Sequence, residues 1–271
     1  MASENPTGDA YLPQQIAQRV ESMGVAKANA STLTLLTLAV LAGAFISLGA
    51  LFFTVVTTGN TGLGFGVTRL LGGVSFSLGL VLVIVGGAEL FTGNNLLAMA
   101  WASRLITTRD VLRNWSLVYL GNVIGCLGTV ALVMWADLGS LGGGAVGETA
   151  IQIAQAKVQL SFGETFARGI LCNALVCLAV WQAMGGRSVS DKILAILLPV
   201  SAFVTIGLEH SIANWFFLPL GLAWDDRGLI SQTGVAWNLI AATAGNIVGG
   251  TLLVASVYWL AYLRETPKSG S

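Results

Sequence analysis

Six long apolar runs dominate this chain, at about residues 32–57, 67–90, 112–136, 163–185, 192–209 with a continuation to about 222, and 236–262, and polar residues gather between them. A run of roughly 20 apolar residues is what an α-helix rising about 1.5 Å per residue needs to cross a hydrocarbon core about 30 Å thick. The pattern therefore predicts six membrane-crossing helices and an all-α membrane protein. Ahead of them, Leu12, Ile16, Val20 and Met23 recur at three- and four-residue steps among polar neighbours. That spacing predicts an amphipathic helix lying at the membrane surface or against the protein's own face, with a plug as the sharper reading. The expected organisation is an N-terminal amphipathic segment at 1–30, a six-helix transmembrane domain at 31–264 and a C-terminal tail at 265–271.

Composition agrees with a membrane solvent. Hydrophobic residues make up 55% of the chain and charged residues 10%, against about 25% charged in soluble domains. The formal net charge is zero, which gives no electrostatic reason to expect nucleic acid. Where the charges lie says more. Arg19 and Lys27 precede the first run, Arg104, Arg109 and Arg113 follow the second, Arg187 and Lys192 follow the fourth, and Arg264 and Lys268 follow the sixth. The alternate connections are poorer, with Arg69, Lys157, Arg168 and Arg227. By the positive-inside bias both termini are expected in the cytoplasm, with an even number of crossings. The first thirty residues hold Glu4, Asp9, Arg19, Glu21 and Lys27 and no compact apolar stretch, so no cleaved signal peptide is expected. Cys126, Cys172 and Cys177 all sit inside apolar runs and read as small hydrophobes, not as a disulfide framework or a metal site.

The chain also repeats itself. The third run contains Gly121-Asn122-Val123-Ile124-Gly125 and the sixth contains Gly245-Asn246-Ile247-Val248-Gly249. Upstream, the second run ends in Glu89-Leu90-Phe91-Thr92-Gly93-Asn94, and the fifth carries Glu209-His210-Ser211-Ile212-Ala213-Asn214. In each the glutamate precedes an asparagine by five residues. Two features in the same order predict a duplication of three spans plus three. Three is odd, so the second half must enter the membrane in the opposite orientation, as in the inverted repeats of transport proteins.

A carboxylate in mid-membrane costs about 2.5–3.5 kcal/mol on insertion scales, so Glu89 and Glu209 need partners. The residues that follow each glutamate are small or able to bond to backbone, and spans two and five are expected to be interrupted there. Asn94, Asn214, Asn122 and Asn246 read as braces for the broken helices or as members of a polar site. Lys157 reads either as an interfacial lysine that snorkels or as a partner for a buried carboxylate. His210 is the only histidine and lies at the expected break. As a packed residue it would be hydrogen-bonded; in a pore it could donate to a passing anion or lend it a proton. A small neutral acid escapes most of the cost that an anion meets in apolar surroundings. Phe76, Leu80, Leu90 and Phe203 read as packing or as apolar rings bounding a short polar chamber.

These motifs resemble the formate/nitrite transporter family. The stretches that carry the resemblance are Gly87 to Asn94, Asn114-Trp115 with Val118 to Asn122, Cys172 to Trp181, Gly207 to Asn214 and Gly245 to Gly249, and the likeness runs from about residue 10 to 264. The resemblance implies an aquaporin-like protomer of six helices in two inverted repeats with helices two and five broken, assembled as a homopentamer with one pore per protomer. It implies a channel in the bacterial cytoplasmic membrane for formate, nitrite or related weak acids, with no cofactor or metal and no catalytic residue. It implies a central polar site at His210 and Thr92, an outer constriction at Phe76, Leu80 and Phe203, and an inner one at Leu90, Asn173 and Val176. Lys157, Glu209, Asn214 and Asn246 resemble the family's supporting polar residues, and the segment around Ile16 and Val20 resembles a gating helix. The connection from about Asp225 to Thr233 looks closer to the nitrite branch, whereas Thr57-Thr58-Gly59 and Arg69 to Gly73 look closer to the formate branch. Formate is the preferred expectation, with nitrite or hydrosulfide as alternatives.

Two rivals come from other classes. A channel for water, ammonia or glycerol would use His210 as a neutral hydrogen-bonding residue, but the twin Asn-Pro-Ala signature is absent from the sequence. A membrane enzyme using Glu209 or His210 as acid or base lacks a second histidine, a metal-ligand cluster and a nucleophile beside a base.

Overall fold

The computed structural model describes residues 10–59 and 62–264, so the expected tail at 265–271 and the first nine residues of the N-terminal segment lie outside the described residues. In chain order the α-helices are α1 Pro13–Asn29, α2 Thr32–Val56, α3 Phe65–Gly86, α4 Leu97–Ala102, α5 Thr108–Trp135, α6 Ala145–Val158, α7 Phe162–Gly185, α8 Val189–Ile206, α9 Ser211–Trp224, α10 Gln232–Val248 and α11 Ser256–Tyr262. The last two are continuous through a π-helical stretch, Gly249–Ala255. Six helices are long and apolar enough to cross a membrane: α2, α3, α5, α7, α8 and the continuous Gln232–Tyr262. All six expected spans are present.

Sequence punctuation explains where they begin. Ser31, Thr107, Ser161, Ser188 and Ser231 stand just before α2, α5, α7, α8 and α10, and each side chain accepts from the backbone N–H three residues on. Asp110, Glu164 and Asp191 close capping boxes in three of these, which satisfies amides that a helix leaves unpaired at its start.

The two halves share one order: a short amphipathic helix, a span, a span that ends in a break, a short helix, a span. In the first half α2 packs on α3 and α5 while α1 packs on α4; in the second α7 packs on α8 and α10 while α6 packs on α9, and α3 meets α8 at the centre. The tightest crossings rest on glycine. A Cβ at Gly125 would collide with the Val40 carbonyl across α2 and α5, and one at Gly249 with the Ile170 carbonyl across the last span and α7. Backbones that close gain packing where lipid offers no hydrophobic drive. Outward, Leu41, Phe52, Leu132, Leu198 and Leu252 are exposed, as a lipid-facing surface requires.

The N-terminal segment does form an amphipathic helix, and it docks on the protein's own face. Ile16, Ala17, Val20, Gly24 and Ala28 are its buried residues. Leu12 is the exception: it precedes the first helical turn and is exposed.

The breaks lie earlier than expected. Helix α3 ends at Gly86 and α8 at Ile206, and Gly87 (φ +75°) and Gly207 (φ +82°) turn the chain in the left-handed conformation. The glutamates stand inside the irregular stretch, and Ser211–Asn214, expected to leave helical geometry, begin α9 instead. Glycine tolerates positive φ at no steric cost, so it decides where each helix stops; the small polar residues downstream start the next one.

Candidate functional site

His210 is the N-cap of α9. Its Nδ1 accepts from the Ala213 backbone N–H at 3.1 Å. A backbone N–H can only donate, so Nδ1 offers its lone pair and the neutral ring carries its proton on Nε2. Nε2 lies 2.9 Å from Thr92 Oγ1, across the break of the other half. Donation from the ring leaves the threonine's own hydroxyl hydrogen free to donate onward. The Phe203 ring stacks on the imidazole at 5.9 Å, and Phe76 meets Phe203 edge-on at 5.7 Å.

A cavity of about 520 Å³ runs down to this ring. Among its lining residues Leu63 and Phe65 are exposed, whereas Phe76, Phe203, His210 and Ala213 are buried. Three cations line it, Arg69, Lys157 and Arg168, against a single carboxylate, Glu209. Lys157 Nζ pairs with Glu209 Oε1 at 2.9 Å. Arg69 donates to the Val204 and Thr205 carbonyls and Arg168 to that of Gly207. Those carbonyls close α8 where no further turn follows, and the two guanidiniums satisfy them.

Each break is held by the same polar network. In the second half Asn214 Nδ2 donates to Glu209 Oε2 (2.7 Å) and Asn238 Oδ1 (2.7 Å), and Asn238 Nδ2 donates to the Lys157 carbonyl (3.1 Å). In the first half Lys27 pairs with Glu89 at 3.1 Å, Asn94 Nδ2 donates to Glu89 Oε2 (2.7 Å) and Asn114 Oδ1 (2.9 Å), and Asn114 Nδ2 donates to the Lys27 carbonyl (3.2 Å). Asn122 and Asn246 then sew the breaks to their neighbours. Asn122 takes the Phe91 N–H and donates to the carbonyls of Ala39 and Glu89, and Asn246 takes the Ser211 N–H and donates to those of Gly169 and Glu209. Lipid can supply none of these partners. The halves differ at the residue after the glutamate, which is Leu90 in one and His210 in the other.

The architecture, the paired breaks and the quoted motifs meet in one place among known proteins. The family model described as "Formate/nitrite transporter" matches residues 14–260. The chain belongs to the formate/nitrite transporter family. It is 41% identical over 282 residues to the formate channel FocA of Escherichia coli (strain K12), covering 98% of this chain and 99% of that protein. It is 35% identical to the formate channel FocA of Haemophilus influenzae, covering 98% and 100%. Among solved structures, one described as a pentameric formate channel with formate bound superposes with a TM-score of 0.81 at 39% identity, covering 86% of this chain and 98% of that one. Another, described as an FNT family ion channel, gives 0.84 at 28% identity over 91% and 98%. As a member of the formate/nitrite transporter family with six apolar spans, the chain is a multi-pass membrane protein.

Among the residues singled out in the sequence of this transporter family member, the structure brings His210, Thr92, Phe76 and Phe203 together. Asn173 lies against Thr92, donating to its carbonyl at 3.2 Å. Leu80, Leu90 and Val176 are buried in the same apolar core but do not line the cavity. Lys157 pairs with the Glu209 carboxylate, and its ammonium also lies 5.6 Å from the Phe217 ring centre. Sequence reasoning missed Lys27, Asn114 and Asn238 as parts of the network, and Asn95 as the partner of Asn173. Lys27 looked like a connection charge, and the one available signal was its place ahead of a span, matching Lys157 ahead of another.

Proposed function

We infer that this protein is a channel for small monovalent weak acids, formate first, and that the acid crosses in its neutral form with its proton. The observation that carries the reading is the His210–Thr92 pair at the floor of a cation-lined cavity, behind the Phe76 and Phe203 rings. Arg69, Lys157 and Arg168 draw an anion into the cavity. Beyond them apolar rings face it, where a bare anion pays heavily while its conjugate acid does not, so the anion takes its proton from the outer solution, by way of water in the cavity, before it passes. Thr92 then meets the permeant with its hydroxyl hydrogen, which the bond from His210 Nε2–H leaves free to donate. For the ring to lend a proton it would first have to hold two, and the second would sit on Nδ1 facing the Ala213 N–H, so lending requires the cap to open. Donation from the Thr92 hydroxyl needs no such change.

On this reading residues 31–264 form the channel domain, Phe76, Leu80 and Phe203 bound the chamber outside, and Leu90, Asn173 and Val176 bound it inside. Lys157, Glu89, Glu209, Asn94, Asn214, Asn122 and Asn246 hold the breaks that frame it. Helix α1, within the 1–30 segment, packs at the opposite end of the bundle. That end carries Arg19, Lys27, Arg104, Arg109, Arg113, Arg187, Lys192 and Arg264, which supports both termini in the cytoplasm of a bacterium and insertion in its cytoplasmic membrane. Relatives that are formate channels, and a similar structure described as pentameric with formate bound, support formate as substrate and a homopentamer as the assembly.

The test is uptake into liposomes holding the purified protein, with internal pH recorded, for formate, nitrite, hydrosulfide and glycerol. Formate is expected to move fastest and to leave the outside more alkaline, and His210→Phe is expected to slow it without loss of assembly. Rapid glycerol entry with no weak-acid flux would replace this reading with the neutral-solute one.

A further inference from the structure

Two polar atoms near the centre of the bundle have no partner among the described residues although their side chains are fully buried: Asn95 Nδ2 and Asn173 Oδ1. Their neighbours fix how both amides are turned. Asn173 Nδ2 lies 3.2 Å from the Thr92 carbonyl, 2.7 Å from the Asn246 carbonyl and 2.7 Å from Asn95 Oδ1. Carbonyls only accept, so the amino group of Asn173 must face them and its oxygen must face away. Asn95 must then turn its oxygen to Asn173 and its amino group elsewhere. Reversing Asn173 sets oxygen against oxygen, and reversing Asn95 sets donor against donor.

What results is one free donor and one free acceptor on two amides joined by a single hydrogen bond. They adjoin Thr92, on the side of the break that leads into α4 and toward α1. The backbone opposite is unusual as well. The last span winds as a π-helix over Gly249–Ala255, a rare form that concentrates at functional sites. Gly250 in that stretch approaches so closely that a Cβ would stand 2.8 Å from the Asn95 Cβ. Buried amide groups are paired in nearly all proteins, and a free donor and a free acceptor on two amides linked by one bond call for a ligand that carries both functions.

We propose that Asn95 and Asn173 form a second polar station that receives the permeating acid in its neutral form, its carbonyl accepting from Asn95 Nδ2 and its hydroxyl donating to Asn173 Oδ1. A bare anion offers acceptors only and would confront Asn173 Oδ1. The station rests on the weak-acid reading above and adds a selection for the protonated species below His210. Asn95→Val removes the donor at similar volume, and Asn173 Nδ2 keeps both carbonyls, so the fold has little to lose.

The experiment compares full-length protein and Asn95→Val in liposomes for formate and for nitrate, an anion whose acid stays ionised, together with thermal stability. Asn95→Val is expected to fold with unchanged or higher stability and to pass formate about tenfold more slowly, with nitrate flux negligible in both proteins. Unchanged formate flux would make Asn95 a packing residue or a water ligand and end the proposal. Equal losses for formate and nitrate would make the site a donor for bare anions and end it as well. If the unaltered protein passes no formate, the weak-acid reading fails and takes the station with it; if it does and Asn95→Val matches it, the station alone fails.

Discussion

Asn246→Leu strips the second break of its brace at nearly constant volume. The side chain takes the Ser211 N–H at 2.8 Å and donates to the carbonyls of Glu209 at 2.9 Å and Gly169 at 2.8 Å. Gly169 lies inside α7 and keeps its place in the helical ladder, whereas the groups of Glu209 and Ser211 lie at the break and are left buried without partners. An orphaned buried group costs about 1–3 kcal/mol, which gives about 2–6 kcal/mol for the pair. The assay is the free energy of unfolding in mixed micelles, with Asn122→Leu as the mirror variant, because Asn122 makes the same three bonds at the first break. Both variants should lose a similar amount. Asn246→Leu frees the residue next to His210 and Asn122→Leu the residue next to Thr92, so both should slow flux. A loss of no more than about 0.6 kcal/mol, the average for an interhelical hydrogen bond in a membrane, refutes the reasoning.

Lys157→Met should cost about 3–5 kcal/mol, since it leaves the Glu209 carboxylate buried without its cation, and Lys157→Met with Glu209→Gln should recover most of that in the same unfolding assay. Lys27→Met should cost less, because the Lys27 and Glu89 side chains keep 19% and 11% exposure against 15% and 3% for Lys157 and Glu209. Gly207→Ala forces a side chain to φ +82° and should lower stability by about 1–2 kcal/mol, where a change near zero would show that the break can relax.

Apolar run length made the six spans legible, and the glutamate-to-asparagine spacing made the repeat and its breaks legible. The glycines that end α3 and α8 were in view but were outweighed by the polar residues downstream, so each break was expected a few residues late. Helix α6 was not foreseen because Glu148, Gln152, Gln155 and Lys157 give it the polarity of a connection. Only packing shows that it answers α1, with Lys157 and Lys27 reaching equivalent glutamates. Asn95 escaped notice because nothing in one sequence reveals which of two adjacent asparagines is braced: Asn94 is tied to Glu89 and Asn114, while Asn95 shares one bond with Asn173. His210 stood out as a solitary ionisable ring at a break, but its tautomer depends on the Ala213 amide and therefore on where α9 begins.

The proposed crossing of the acid as a neutral species, met by the Thr92 hydroxyl that His210 leaves free to donate, fixes both a stoichiometry and a response to voltage. Formate uptake and proton movement recorded together in voltage-clamped liposomes test it most directly. One proton should enter per formate, at a rate indifferent to membrane potential; a formate flux that follows the potential with no accompanying proton would overturn the neutral crossing.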